Sequence, residues 1–172
     1  VFGSGPENAR VMFVGEQPGD QEDLSGRPFV GPAGKLLDRA LQALQLDRKT
    51  FYMTNAVKHF RYEQRGKVRM HKNPAVSHMQ ACKPWLLGEL ATIKPRIVVC
   101  LGATAARVVL GDQFRLMEER GRWHVLDDGV RAFATVHPSW VLRQPAETRD
   151  VAFSGLVRDL EMLKEALSEG AN

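Results

Sequence analysis

Cysteine is scarce in this sequence, because its 172 residues include only Cys82 and Cys100. Two cysteines cannot build the disulfide framework of a small secreted domain, so we expect a reducing compartment, the cytoplasm. Long apolar runs are also missing, since none reaches the roughly 18 residues of a membrane span. The first residues, VFGSGPENAR, lack the basic and apolar regions of a signal peptide. The composition therefore predicts a cytoplasmic protein with no membrane partner.

The remaining composition fits one globular domain. Hydrophobic residues make up 44% and charged residues 26% of the chain, which is close to average for a soluble domain and argues against disorder. A length of 172 residues also suits one domain, since domains commonly run to about 100–200 residues. We therefore expect residues 1–172 to form a single domain.

Positive charge is concentrated in one short stretch. The chain has a net charge of +4, but residues 58–72 alone contain six Lys or Arg side chains and a single acid, Glu63. A basic patch on a nearly neutral body is the pattern expected of a protein that binds a polyanion. A solvated basic loop has the same composition, and charge alone does not decide between the two.

Short apolar runs alternate with helical patterns along the chain. Strand candidates lie at 10–15, 51–57, 97–101 and 131–136, with a further one near 123–126. Helix candidates lie at 34–45, 74–93, 103–110 and around Leu156–Leu167, with Pro84 kinking or restarting the second. This alternation predicts a three-layer α/β/α sandwich around a central, mostly parallel four-stranded sheet.

Polar loops follow the predicted strands, and three of them carry unusual chemistry. Carboxylates at Glu16 and Asp20 follow the first strand, the basic stretch 58–72 follows the second, and His137 opens the loop after the strand at 131–136. Ligands of parallel sheets bind beyond the carboxyl ends of the strands. The three loops are therefore expected to meet at one active site.

Three motifs resemble one known family. GEQPGDQEDLSGRPFVGPAGKLLDRAL at 15–41, TNAVKHF at 54–60 and VHPS at 136–139 are similar to the motifs of the iron–sulfur uracil-DNA glycosylases. Gln17 and the insertion GKVRMHKNP at 66–74 resemble the UdgX branch of that superfamily. The resemblance implies a uracil-DNA glycosylase-like fold. It also implies a DNA-repair enzyme that excises uracil and then bonds its loop histidine to C1′ of the abasic deoxyribose.

The resemblance implies three catalytic residues. His137 would donate to O2 of the departing uracil anion, and a preorganised donor of this kind contributes about 3–4 kcal/mol. Gln17 stands where several relatives have a carboxylate that orients water, and an amide cannot take up a proton. His71 would therefore capture the sugar cation, with Glu16 orienting the imidazole and removing its proton. A phosphate contact is the alternative role for His71.

Five residues are expected to bind the flipped nucleotide: Gly15, Gln17, Asp20, Phe29 and Asn55. Phe29 would stack on the base, which contributes about 1–3 kcal/mol whatever the base. Asn55 would accept from N3–H and donate to O4, and cytosine reverses both, at about 1–3 kcal/mol for each unmatched buried group. A core phenylalanine and an asparagine that bonds only to backbone are the alternatives.

Contacts to DNA phosphates are expected from Lys67, Arg69, Ser139 and Arg143. The expected partner is uracil-containing DNA, single-stranded or flipped from a duplex, with free uracil as product and a monomeric protein. Two other functions remain open: a glycosylase that turns over, and a non-catalytic nucleic-acid-binding module. A nucleotide-phosphate enzyme is disfavoured, because no Walker or dinucleotide glycine pattern follows a strand.

The resemblance also implies a [4Fe–4S] cluster with four protein ligands. Two ligand positions fall at His59 and Cys82, and histidine can replace cysteine as a cluster ligand. The other two would form a Cys-x-x-Cys pair, which this sequence does not contain. Because the chain begins with Val1 rather than Met, we expect that pair in an upstream segment; a separate piece of chain and the absence of the cluster are the alternatives. Cys100 lies in an apolar strand and is expected to be a core residue.

Overall fold

The computed structural model describes residues 1–170, which build a central sheet, a separate hairpin and flanking helices. Within these residues the strands are β1 (Val11–Gly15), β2 (Tyr52–Asn55), β3 (Tyr62–Arg65), β4 (Val68–His71), β5 (Ile97–Leu101), β6 (His124–Val125) and β7 (Arg131–Thr135). The helices are α1 (Asp20–Ser25), α2 (Pro32–Ala43), α3 (Val76–Ile93), α4 (Ala103–Leu110), α5 (Leu116–Glu119), α6 (Pro138–Leu142) and α7 (Ala146–Glu169).

The central sheet has the strand order β2-β1-β5-β7-β6. Its first four strands pair in parallel, which confirms the predicted parallel sheet. The short strand β6 adds to the edge antiparallel to β7, so the sheet has five strands rather than four. A tight turn at Gly129 joins these two strands, and a connection this short permits only antiparallel pairing.

Helices cover both faces of the sheet. Along β1, Val11 and Phe13 point to one face and Met12 and Val14 to the other, and all four are buried. The Phe13 face packs against α2, α6 and α7, whereas the Met12 face packs against α3 and α4. The three-layer sandwich is thus confirmed. It also explains why the parallel strands are apolar throughout, since neither side meets water.

Residues 58–72 contain an antiparallel hairpin, so the loop predicted there was wrong. Strand β3 pairs with β4, with Tyr62 opposite His71. Gly66 turns the chain with a φ of 63°, a left-handed conformation that glycine adopts at little cost. The strands YEQR and VRMH are only four residues long, mostly exposed and rich in polar side chains, so they gave no strong strand signal.

Two helices also differ from expectation. Part of the loop predicted at 15–34 is the helix α1, whose first turn contains Asp20, Glu22 and Asp23, and acids are favourable at a helix N-terminus. Helix α3 continues through Pro84 instead of restarting there. Among the helices of residues 1–170, none combines the length and apolar character that a membrane crossing requires.

Candidate active site

The carboxyl ends of the parallel strands bring the predicted loops together. Gly15 and Asn55 are paired at the ends of β1 and β2, and Gly102 and His137 follow β5 and β7. A cavity of about 260 Å³ opens at this edge. Its lining includes Glu16, His71, His137, Ser139 and Arg143. The structure therefore gathers the three predicted catalytic side chains around one cavity.

Three other predicted residues converge on Gly15, which forms the floor of the candidate base-binding site; none of Gly15, Phe29 and Asn55 lines the cavity of about 260 Å³ itself. A Cβ atom placed on Gly15 would lie 2.5 Å from Asn55 Oδ1, 2.6 Å from Phe29 Cζ and 3.5 Å from His137 Nε2. Real Cβ atoms do not come so close to other heavy atoms, so only glycine fits here. The same contacts show that an amide, an aromatic ring and an imidazole surround a single point.

His137 is held as a neutral imidazole with a defined tautomer. The backbone N–H of Ser139 donates to His137 Nδ1 at 3.0 Å, and the Ser139 hydroxyl lies 2.7 Å from the same nitrogen. A nitrogen that accepts from an N–H carries no proton, so the ring hydrogen sits on Nε2. Burial, together with the charges of Arg143 and His71, lowers the pKa of His137 to about 4. The ring therefore offers Nε2–H as a donor toward Gly15. Ser139 engages this ring, and its predicted phosphate contact stays a prediction.

Phe29 belongs both to the core and to the site. Its side chain is buried, and the ring edge reaches the Gly15 floor. Its centroid lies 6.2 Å from that of His137, with the rings inclined by 26°. Phe29 has a φ of 53°, which costs a non-glycine residue roughly 1–2 kcal/mol. Strain at a buried aromatic beside a cavity is typical of a functional position.

Asn55 is buried at the end of β2 and is held by its backbone. Its carbonyl oxygen accepts from Lys58 Nζ at 2.7 Å, and its side-chain oxygen lies over Gly15. Lys58 Nζ also donates to Thr54 Oγ1 at 2.6 Å and forms an ion pair with Glu89. Burial lowers the pKa of Lys58, and the bond to Glu89 opposes that shift. This buried network fixes the backbone that presents the Asn55 amide. It was not predicted from the sequence.

Glu16 lies between Thr104 of α4 and His71 of β4. Thr104 Oγ1 donates to Glu16 Oε2 at 2.7 Å, and Glu16 Oε1 lies 3.8 Å from His71 Nε2. Both Glu16 and His71 are partly open to solvent, with 27% and 47% of their side chains exposed. The carboxylate therefore lies close to the imidazole without a hydrogen bond to it, and both side chains remain accessible to solvent. Thr104 was not among the predicted residues.

Three predicted ligand-binding residues instead hold the hairpin against the first loop. Arg69 pairs with Asp20 and Asp23 at 2.6 and 2.7 Å. Gln17 donates to the carbonyl of Lys72 at 2.9 Å and accepts from the N–H of Arg61 at 3.4 Å. Binding of nucleotide by Asp20 and Gln17, and of phosphate by Arg69, remains a prediction. Of the other expected phosphate contacts, Lys67 is exposed at the hairpin turn, and Arg143 is exposed at the cavity.

The two predicted cluster ligands do not make a metal site by themselves. His59 is exposed, whereas Cys82 is buried and its sulfur accepts from the Lys58 N–H at 3.4 Å. Within residues 1–170, no three His, Cys, Asp or Glu side chains are grouped as a metal site would require. The described residues therefore do not complete a four-ligand cluster, and the ligand roles of His59 and Cys82 remain a prediction. Cys100 is fully buried, and burial raises the pKa of its thiol to about 12, as expected of a core residue.

Comparison with known proteins gives a consistent result. Residues 2–161 match the model of the uracil DNA glycosylase superfamily. The type-4 uracil-DNA glycosylase of Saccharolobus solfataricus is 34% identical over 98% of this chain and 76% of its own length. The enzymes of that name from Archaeoglobus fulgidus and Thermotoga maritima are 34% and 32% identical, over 84% and 96% of this chain and 73% and 83% of their own lengths.

Proposed function

Because the chain belongs to the uracil DNA glycosylase superfamily, we propose that it excises uracil from DNA and then bonds covalently to the abasic sugar through His71. The observation that carries this proposal is the position of His71 at the cavity, with Nε2 3.8 Å from Glu16 Oε1. A histidine beside a carboxylate supports capture of the sugar by His71, as the resemblance to the UdgX branch implies, over capture by water. The reaction would serve DNA base excision repair.

Recognition of uracil rests on the groups around Gly15. A flipped base above this floor would meet the Phe29 ring edge, the Asn55 amide and the Nε2–H of His137. Asn55 accepts from uracil N3–H and donates to O4, so cytosine would leave two buried groups mismatched. The buried lysine behind Asn55 keeps the amide from turning away with its backbone.

Cleavage of the glycosidic bond uses the neutral His137. When the bond between C1′ and uracil N1 breaks, its electron pair leaves with the base and negative charge spreads to O2. The Nε2–H of His137 donates to that oxygen, and its fixed tautomer means that no reorientation is needed in the transition state. The sugar is left as an oxocarbenium-like cation.

Capture of the cation uses His71 and Glu16. The lone pair of the imidazole forms a C–N bond to C1′, the imidazole proton passes to Glu16, and uracil takes up a proton from solvent. One C–N bond is thus exchanged for another, with no oxidation or reduction. An N-alkyl imidazole is a poor leaving group, so the protein should remain attached after a single turnover.

The partner in this proposal is uracil-containing DNA, and free uracil is the released product. Lys67 at the hairpin turn and Arg143 at the cavity are exposed cations. They would neutralise phosphates next to the flipped nucleotide, which positions the strand without reading its sequence. One chain contains every group invoked here, so a monomer suffices.

A denaturing gel tests the proposal. The protein is incubated with an oligonucleotide that contains one uracil, and a thymine oligonucleotide serves as the control. A slower band that survives denaturation should form with uracil only and should disappear in His71→Ala. Free abasic DNA with no shifted band would indicate ordinary turnover. Salt-sensitive binding without a preference for uracil, unchanged by Glu16→Ala, would indicate a binding module.

A further inference from the structure

We propose that Thr104 is a positioning residue that holds Glu16 so that one carboxylate oxygen faces His71. The inference rests on the proposed function and adds a residue that no sequence motif identified. Thr104 Oγ1 donates to Glu16 Oε2 at 2.7 Å, and the other oxygen, Oε1, lies 3.8 Å from His71 Nε2. The two oxygens of one carboxylate thus have different partners.

Thr104 can serve as an anchor because α4 is fixed to the sheet. The threonine is the second residue of α4, and the next two residues, Ala105 and Ala106, are fully buried against the central sheet. Gly102, just before the helix, has a φ of 94°, and a Cβ there would lie 3.1 Å from His137 Cβ. The start of α4 is therefore packed closely against the loop that carries His137.

His71 lies on the less restrained side of the cavity. Most of the hairpin is exposed, and none of the eight residues of β3 and β4 is buried. If Glu16 turned freely, the distance from its oxygen to the imidazole would vary with each rotation of the carboxylate side chain. A charge-assisted bond of 2.7 Å to a fixed hydroxyl removes one of those motions, and the carboxylate becomes the fixed reference for the imidazole.

The chemistry places the effect on the capture step. Thr104 touches neither the base nor the sugar in this arrangement, and it acts only on the group that takes the imidazole proton. Loss of its hydroxyl should slow formation of the His71–C1′ bond more than release of uracil. Because a hydrogen bond to a charged group is strong, we expect crosslinking to slow by about tenfold or more.

Two variants separate this role from a general effect on folding. Thr104→Val removes the hydroxyl and keeps the shape of the side chain, whereas Thr104→Ser keeps the hydroxyl. Single-turnover rates of crosslinking and of uracil release are measured for each on the same uracil oligonucleotide. We expect slow crosslinking with nearly normal uracil release in Thr104→Val, and recovery of the crosslinking rate in Thr104→Ser.

A double variant tests whether the effect passes through Glu16. Adding Thr104→Val to Glu16→Gln should slow crosslinking by much less than it does in the wild type, since the pair no longer has a charge to position. Equal crosslinking rates in Thr104→Val and the wild type would overturn the inference. An equal loss of crosslinking rate in Thr104→Val and Thr104→Ser would also overturn it, and so would a Thr104→Val effect of undiminished size in the Glu16→Gln background. Absence of any crosslink from the wild type would instead overturn the proposed function itself.

Discussion

Arg69 Nε lies 2.6 Å from Asp20 Oδ1, and this ion pair joins the hairpin that carries His71 to the helix that follows Glu16. A second bond from Arg69 to Asp23, at 2.7 Å, fixes the guanidinium against the same helix. The guanidinium also lies 5.2 Å from the Phe60 ring centroid and 5.0 Å from that of Tyr62. Residues nearly fifty positions apart in the chain thus hold the hairpin so that His71 lies near Glu16.

Replacement of Arg69 should release the hairpin and impair capture of the sugar. Two partly exposed ion pairs and contacts with two aromatic rings hold the guanidinium, and an exposed contact of either kind is typically worth up to about 1 kcal/mol. We expect Arg69→Met to slow crosslinking by about tenfold, since 1.4 kcal/mol corresponds to a factor of ten. Arg65→Met is the matched control, because Arg65 lies on the same hairpin and has only an exposed pair with Glu63. Equal effects of the two variants on the single-turnover rate would contradict the role of Arg69 in holding the hairpin.

Adding a side chain at Gly15 should stop base excision without unfolding the protein. A Cβ there would approach Asn55 and Phe29 within 2.6 Å, so Gly15→Ala must displace the groups that contact the base. Displacements of this size cost about a hundredfold in rate. Gly88→Ala is the control, since a Cβ at Gly88 in α3 meets nothing within 4 Å. Uracil release measured by chromatography should fall in the first variant only.

The fold could be predicted from the sequence because the central sheet is buried on both sides. Strands such as IVVCL at Ile97–Leu101 are apolar throughout, and this signal is local. The hairpin could not be predicted from the sequence. Its position depends on bonds between Arg69 and residues far away in the chain, and not on a local apolar pattern. Thr104 gave no signal either: its bond to Glu16 spans 88 positions, and threonine at the start of a helix is commonplace.

The stability of the protein should depend on pH through His137. Its folded-state pKa of about 4 lies below the ordinary value of 6.5, so the unfolded chain binds the proton more readily. The contribution of neutral His137 to the free energy of unfolding is fully present above pH 6.5. As the pH falls toward 4, the free energy of unfolding decreases by up to about 3 kcal/mol. Urea unfolding at pH 7 and at pH 4.5 measures how much free energy of unfolding is lost in acid. We expect a smaller loss in His137→Gln than in the wild type. Identical losses of stability in acid would contradict a neutral, partly buried imidazole at His137.

The buried ion pair behind Asn55 should be important for stability. Lys58 is 3% exposed, and Glu89 also accepts from Tyr52 and Thr54. Removing one partner of a buried pair leaves an uncompensated charge, at about 3–5 kcal/mol. Because Glu89 keeps its neutral donors, we expect the lower end of this range for Lys58→Met. Lys83→Met changes an exposed lysine and should leave the urea midpoint unchanged.

The most direct test is denaturing mass spectrometry of the protein after incubation with an oligonucleotide that contains one uracil. We expect a single species whose mass is that of the protein plus the oligonucleotide minus uracil. Proteolysis should locate the modification on the peptide that contains His71. An unmodified protein beside abasic DNA, or an adduct that still forms in His71→Ala, would contradict the covalent role assigned to this histidine.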